Sequence, residues 1–268
     1  MLYRLPEAGR RRLMTMNGRV DVSLILPAFN EAERIEQTIA QSIDYLRGRG
    51  LSYQVIVAAD GDDGTRELVR DMAKLDPRIS VIGRSERSGK GRGVREAVAL
   101  ASGSVVGYVD ADNKVPIKEF EKIAVSLTAG SEVVIGSRAM AESKVEKSQP
   151  LYRQLGSRGF RVFLSTVVGL REIADTQCGF KFFSNRAAKL IFSHQKIDGY
   201  MFDVEILVLA NRLRLPIAQV PIRWRDDGDS RLELVAGNLR NIRDIFRIRF
   251  SSASVTLPQP AVRRAHSK

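Results

Sequence analysis

The chain has 268 residues, 44% hydrophobic and 28% charged, with a formal net charge of +12. That balance excludes wholesale disorder and suits one domain with extensions. A single cysteine, Cys178, excludes an intrachain disulfide and points to a reducing compartment, and having only His194 and His266 argues against a histidine-built metal site or a Ser–His–Asp triad.

Residues 1–19 read as a basic flexible arm carrying Arg4, Arg10, Arg11, Arg12 and Arg19. A strand is expected over Val22–Pro27. A helix follows over 32–47, where Ile35, Ile39, Ile43 and Leu46 recur at helical spacing. Val55–Ala59 predicts a second strand, Thr65–Leu75 a helix, Ile79–Ile82 a third strand and Gly93–Ala101 a helix. Val105–Val109 and Val133–Ile135 predict two more strands, with a helix over 117–128 between them. Strands without polar alternation, alternating with helices, imply a mostly parallel sheet covered on both faces. Beyond Gly136 the pattern changes. Residues 139–149 read as a polar loop and 151–170 as an amphipathic helix with Arg153, Arg158 and Arg161. Then come a helix over 203–212, a strand over Ala218–Trp224, a helix over 232–250 and a basic tail over 251–268.

The basic excess lies at the ends. Residues 211–268 hold eleven arginines and Lys268 against five acids, whereas the centre of the chain is close to neutral. Such ends suit an anionic membrane surface or nucleic acid. In the 232–250 helix, Leu232, Val235, Leu239, Ile242 and Phe246 keep one stripe and Arg240, Arg243 and Arg247 lie on other faces. That stripe either lies in a membrane interface or packs on the domain. No apolar run reaches the roughly 18–20 residues of a spanning helix, and the N-terminus has no signal-peptide core.

Open α/β sheets bind ligands outside the carboxyl ends of their strands, and the polar residues collect there. Strand one ends in Pro27–Glu31 (PAFNE), strand two in Asp60–Thr65 (DGDDGT) and strand four in Asp110–Asn113 (DADN). Strand three leads to Ser88–Gly93 (SGKGRG). Acidic loops beside a glycine-rich basic loop fit a nucleoside diphosphate with a divalent metal. Asp110 and Asp112 are the sharpest feature. Residues i and i+2 of an extended segment share a side, and two adjacent carboxylates repel unless a cation lies between them. Mg2+ or Mn2+ favours such hard oxygens. D-x-D alone is weak; directly after an apolar strand, with three companion loops, it is strong. The glycine-rich loop is neither a Walker loop nor G-x-G-x-x-G, yet it can bring Lys90 and Arg95 near a phosphate.

With these motifs the chain resembles the family 2 glycosyltransferases of the GT-A fold, more narrowly the dolichyl-phosphate glucosyltransferases and mannose synthases. The resemblance rests on Val22–Glu31 (VSLILPAFNE), Gly89–Gly91 (GKG), Val109–Asp112 (VDAD), Gly136–Arg138 (GSR), Asp175–Lys181 (DTQCGFK), Phe202–Glu205 (FDVE) and Val220–Trp224 (VPIRW), in the family's order. The DTQCGFK form and the Trp224 strand lean towards the glucosyl branch. The implied layout is an α/β GT-A domain over 20–231 between the basic arm and the 232–250 helix.

The resemblance implies that Pro27, Ala28, Asn30 and Glu31 line the base and ribose site, that Asp60 binds the base and that Lys90 and Arg95 hold the nucleotide. Asp110 contacts ribose or metal, and Asp112 binds the metal. The family pattern has two adjacent acids where this chain has Ala59–Asp62 (ADGD), which leaves the role of Asp62 open. A glutamine that adds a metal ligand in some mannose synthases is replaced by Lys114. Arg138 and Arg153 match positions that receive the lipid phosphate; Arg225, Ser230 and Arg231 match a second basic cluster. Asp175 orients the acceptor or metal site, or caps a turn. Asp203 and Glu205 are expected to support the acceptor side, with a catalytic role open to either, and Cys178 is expected as a packing residue. The implied activity is inverting transfer of a hexose, from UDP-glucose or from GDP-mannose, onto dolichyl or polyprenyl phosphate. The implied placement is peripheral, at the cytoplasmic membrane face. A hydroxyl acceptor would need a base, with Asp175 or Asp203 as candidates. Nucleic-acid binding through the basic ends leaves the ordered acidic loops unexplained and is not expected.

Overall fold

The computed structural model describes residues 20–146, 164, 166–225 and 236–251. The expected basic arm, most of the 151–170 helix, residues 232–235 and the tail from 252 lie outside these residues, as do Arg153, Ser230 and Arg231.

The elements run β1 (Val22–Phe29), α1 (Ile35–Gly48), β2 (Tyr53–Asp60), α2 (Thr65–Leu75), β3 (Ile79–Ile82), α3 (Lys90–Leu100), β4 (Val105–Val109), α4 (Phe120–Thr128) and β5 (Val133–Ser137). After them come β6 (Lys144–Val145), β7 (Phe180–Ser184), α5 (Asn185–His194), α6 (Phe202–Arg212), β8 (Ile217–Pro221), β9 (Arg223–Trp224) and α7 (Ala236–Ser251). Seven strands form one sheet in the order β3-β2-β1-β4-β7-β5-β8, and β6 pairs with β9.

β1 and β2 lie parallel, in register from Val22 opposite Tyr53 to Phe29 opposite Asp60. Their side chains are buried on both faces because α1 and α2 cover one and α3 the other. Ile35, Ile39, Ile43 and Leu46 of α1 are buried as their spacing predicts, each contributing roughly 1.5–3 kcal/mol by burial. The chain order reverses beside β1, which has β2 on one side and β4 on the other. The loops leaving β1 and β4 therefore diverge and open a crevice.

Two elements differ from the sequence-based expectation. β7 inserts antiparallel between β4 and β5, and α5 follows it at once. Ser184 starts α5 by accepting a hydrogen bond from the Ala187 N–H at 3.1 Å. β7 was hidden because Lys181 interrupts its apolar run, although that side chain is 0% exposed. The expected 139–149 loop contains the short strand β6, held by β9.

α7 packs through Ile245 and Ile248, both fully buried. Ile242, Phe246 and Phe250 are 40%, 46% and 73% exposed, so the expected stripe does not lie wholly against the domain.

Candidate active site

β4 delivers Asp110 to the mouth of the crevice. Its backbone N–H donates to the Gly179 carbonyl at 3.0 Å. The next turn is tied to α1, since the Thr38 hydroxyl donates to the Ala111 carbonyl at 2.8 Å in a buried contact. Gly179 lies against the Asp110 carboxylate, and a Cβ there would stand 2.0 Å from Oδ2. Only glycine lets the β7 approach and the acidic turn come this close.

Asp110, Asp112, Lys114, Arg138, Gln177 and Trp224 line one small cavity of about 40 Å³. The acidic pair expected to bind metal and the arginine expected to hold the acceptor thus meet across a shared space. Each carboxylate carries a lysine. Lys90 Nζ lies 2.7 Å from Asp110 Oδ1, and Lys114 Nζ lies 3.1 Å from Asp112 Oδ2.

Lys90 has a second carboxylate near it, Asp203 Oδ2 at 3.6 Å. Burial opposes its charge, but Asp110 and Asp203 outweigh burial and hold the ammonium protonated above its ordinary range. The other Asp203 oxygen, Oδ1, accepts from the Tyr108 hydroxyl and the Lys181 ammonium. Lys181 also donates to the Cys178 carbonyl at 2.7 Å. Sequence reasoning put Asp203 on the acceptor side and gave Tyr108 and Lys181 no role; the structure joins both to Asp203, which also lies beside Lys90. A lysine within an aromatic strand was the available signal, because a charge between inward-facing phenylalanines needs a buried partner. Glu205 accepts from the Lys196 and Ile197 N–H groups at 2.9 and 2.7 Å and caps that loop.

On the β1–β2 side, the Asp60 carboxylate accepts from the Arg84 and Ser88 N–H groups at 3.2 and 2.7 Å, fixing the glycine-rich loop beside it. Asn30 has a positive φ of 54° and accepts from the Asp62 N–H at 3.2 Å. The Glu31 N–H donates to the Thr65 hydroxyl at 3.0 Å. The acid that braces this turn is Asp63, which accepts from the Ala32 N–H at 2.9 Å and the Thr65 hydroxyl at 2.6 Å, while the Asp62 side chain is exposed. Pro27 and Ala28 lie near the end of β1, opposite Ala58 and Ala59 of β2. Arg95 is not among the residues brought to the acidic turn. It pairs with Asp198 at 2.6 Å and donates to Gln195 Oε1 at 3.2 Å, tying α3 to the loop after α5.

On the β5 side, Arg138 makes a bidentate pair with Asp175, with Nε and a terminal nitrogen at 2.7 and 2.9 Å from its two oxygens. The Arg138 guanidinium also lies 5.5 Å from the centre of the Trp224 ring. Burial works against the Asp175 charge, but the Arg138 bonds outweigh it and draw the carboxyl down to about 2. Asp175 thus orients Arg138. Arg225 donates its backbone N–H to the Lys114 carbonyl at 3.0 Å, and its exposed side chain lies 3.6 Å from Glu146. Cys178 is buried, and burial pushes its thiol up to about 12, so it packs and does not act as a nucleophile.

Residues 23–192 match the profile of the family described as Glycosyl transferase family 2. The chain is 32% identical over 240 residues to dolichyl-phosphate beta-glucosyltransferase ALG5C of Trichomonas vaginalis, covering 85% of this chain and 71% of that protein. It is 30% identical over 249 residues to the dolichyl-phosphate beta-glucosyltransferase of Saccharomyces cerevisiae, covering 86% and 74%. Glucosyl-3-phosphoglycerate synthase of Mycobacterium tuberculosis, crystallised with Mn2+, UDP and phosphoglyceric acid, matches the fold with a TM-score of 0.65. It is 21% identical, over 95% of this chain and 86% of that one.

Proposed function

Since the chain belongs to glycosyl transferase family 2, we propose that it transfers glucose from UDP-glucose to the phosphate of a dolichyl or polyprenyl lipid, with inversion. The observation that carries this reading is that Asp112 and Arg138, 26 positions apart, face one cavity. A donor diphosphate beside the first and an acceptor phosphate beside the second are then close enough for direct transfer. The similarity to dolichyl-phosphate beta-glucosyltransferases supports the choice of sugar and acceptor.

Among the described residues no three His, Cys, Asp or Glu side chains gather for a metal. Asp110 and Asp112 fit half of a divalent site, to be completed by donor phosphate oxygens. Their hard oxygens share a cavity, and the lysines on them mark a place where positive charge is required. A bound Mg2+ or Mn2+ would supply charge neutralisation for the departing diphosphate.

The rest of the chemistry falls to the chain. Arg138 presents two parallel donors suited to a phosphate, and Asp175 and Trp224 fix its plane. A phosphate monoester is largely dianionic at pH 7, its second pKa being about 6, so the attacking oxygen needs no protein base. This agrees with the two candidate bases, since Asp175 is committed to Arg138 and Asp203 to Lys181 and Tyr108. Lys90 offers a donor to the diphosphate from the start of α3. Positioning and charge placement then account for the rate.

The lipid acceptor calls for a membrane surface. No helix among the described residues is long and apolar enough to cross one. The exposed Ile242, Phe246 and Phe250 of α7, beside exposed Arg240, Arg243 and Arg247, support peripheral docking on anionic lipid.

Incubation with labelled UDP-glucose and polyprenyl phosphate, followed by organic extraction, tests the reading. Label must enter the lipid phase as an acid-labile β-linked glucosyl phosphate. Label that stays with a water-soluble product, or faster transfer from GDP-mannose or UDP-GlcNAc, overturns it.

A further inference from the structure

We infer that Asp203 is a positioning residue for Lys90, a second seat that keeps this ammonium in the site when Asp110 is taken by a divalent cation. The inference rests on the donor-site reading above and deepens it.

Lys90 lies between two carboxylates at unequal distances, 2.7 Å from Asp110 and 3.6 Å from Asp203. Asp110 lines the cavity, whereas Asp203 is buried at the start of α6. The ammonium also lies near the rings of Tyr108 and Phe202, whose centres are 5.8 and 5.7 Å away. With a divalent cation and a diphosphate at the acidic turn, Asp110 would serve the cation and Lys90 would lose its shorter partner. A cation released beside another cation is driven out of the site unless a second anion retains it. Asp203, buried at the start of α6 and 3.6 Å from the ammonium, would provide that anion.

The geometry of Asp203 suits this task. Its Oδ1 is fixed by Tyr108 from β4 and by Lys181 from β7, while Oδ2 faces Lys90. Lys181 is itself fixed by the Cys178 carbonyl. A carboxylate held by two strands cannot follow the lysine, so the lysine must come to it. The cluster of Lys90, Lys181, Asp110 and Asp203 is charge-balanced before the donor arrives. It remains so afterwards if the metal and the donor's diphosphate cancel. The same arrangement explains why a fully buried lysine occupies the middle of an aromatic strand.

The test is a double-mutant cycle read by calorimetric titration of UDP in the presence of Mn2+, on the full chain. Asp203→Asn and Lys90→Met are each expected to weaken UDP binding by roughly tenfold, and the double variant should bind no more weakly than Lys90→Met alone. Donor KM should rise in Asp203→Asn while acceptor KM holds, a split that general loosening of the fold would not give. Asp203→Asn leaves Lys181 buried without its anion, so Asp203→Asn with Lys181→Met is measured beside it, and melting temperatures are recorded for all. The paired variant should show the same loss of UDP affinity as Asp203→Asn. Equal losses from Asp203→Asn with and without Lys90→Met, or unchanged UDP affinity in the folded paired variant, overturn the inference. If the wild-type chain binds no UDP with Mn2+, the donor-site reading fails first and the inference falls with it.

Discussion

Arg138 gives Asp175 three hydrogen bonds, two from its guanidinium and one from its own backbone N–H at 3.0 Å. The pair spans the step from β5 to the segment before β7, so one carboxylate both closes a turn and sets the direction of a cation at the cavity wall.

Asp175→Asn should raise acceptor KM by roughly tenfold and leave donor affinity nearly unchanged. The profile of turnover between pH 5 and 9 should keep its shape, because the Asp175 carboxyl is drawn down to about 2 and does not titrate there. A limb that disappears in the variant would make Asp175 a proton acceptor. The sign for stability follows from the same shift. A carboxyl lowered on folding contributes fully above about pH 4 and loses that contribution as pH falls through about 2. Melting temperature should therefore drop more steeply between these values in the wild type than in the variant.

Asp112→Ala should lower turnover by about a thousandfold or more with an unchanged far-ultraviolet circular dichroism spectrum. Chelation should abolish wild-type turnover, and added Mn2+ or Mg2+ should restore it. Full activity of the variant, or indifference to chelator, would remove the carboxylate–metal reading.

Gly179→Ala should act on the donor without touching it. A methyl at this position overlaps Asp110 Oδ2 and must push the carboxylate aside. UDP affinity with Mn2+ should fall by roughly tenfold, and acceptor KM should change little. Calorimetric titration measures the first and lipid-phase assay the second.

Phe246→Glu with Phe250→Glu should abolish flotation with anionic liposomes while UDP binding stays at the wild-type level. Both rings are exposed on α7, away from the buried Ile245 and Ile248. Flotation equal to wild type would detach α7 from any membrane role.

The parallel half of the fold was legible because its strands are uninterrupted apolar runs ended by polar loops. Thr65–Leu75, Ile79–Ile82 and Val105–Val109 have the expected bounds. β7 was not, because Lys181 interrupts its apolar run and takes its buried partner, Asp203, from a later helix. The motifs singled out Asp110, Asp112 and Arg138, and the structure places all three on one cavity. Arg95, five positions after Lys90 on α3 and about 140° round the helix, pairs with Asp198. The pairing of Lys90 with Asp110 joins two loops whose sequences carry no sign of one another.

The insertion of β7 between β4 and β5 also orders assembly. β5 leaves the ribosome 47 residues before β7 does, yet both of its sheet neighbours, β7 and β8, come later. During synthesis the β1–β4 half can zip as it emerges, while β5 waits with both edges bare. Slow translation of that interval is thus the moment of greatest exposure to misassociation, and a chaperone meeting the nascent chain would find β5 before it found a finished sheet.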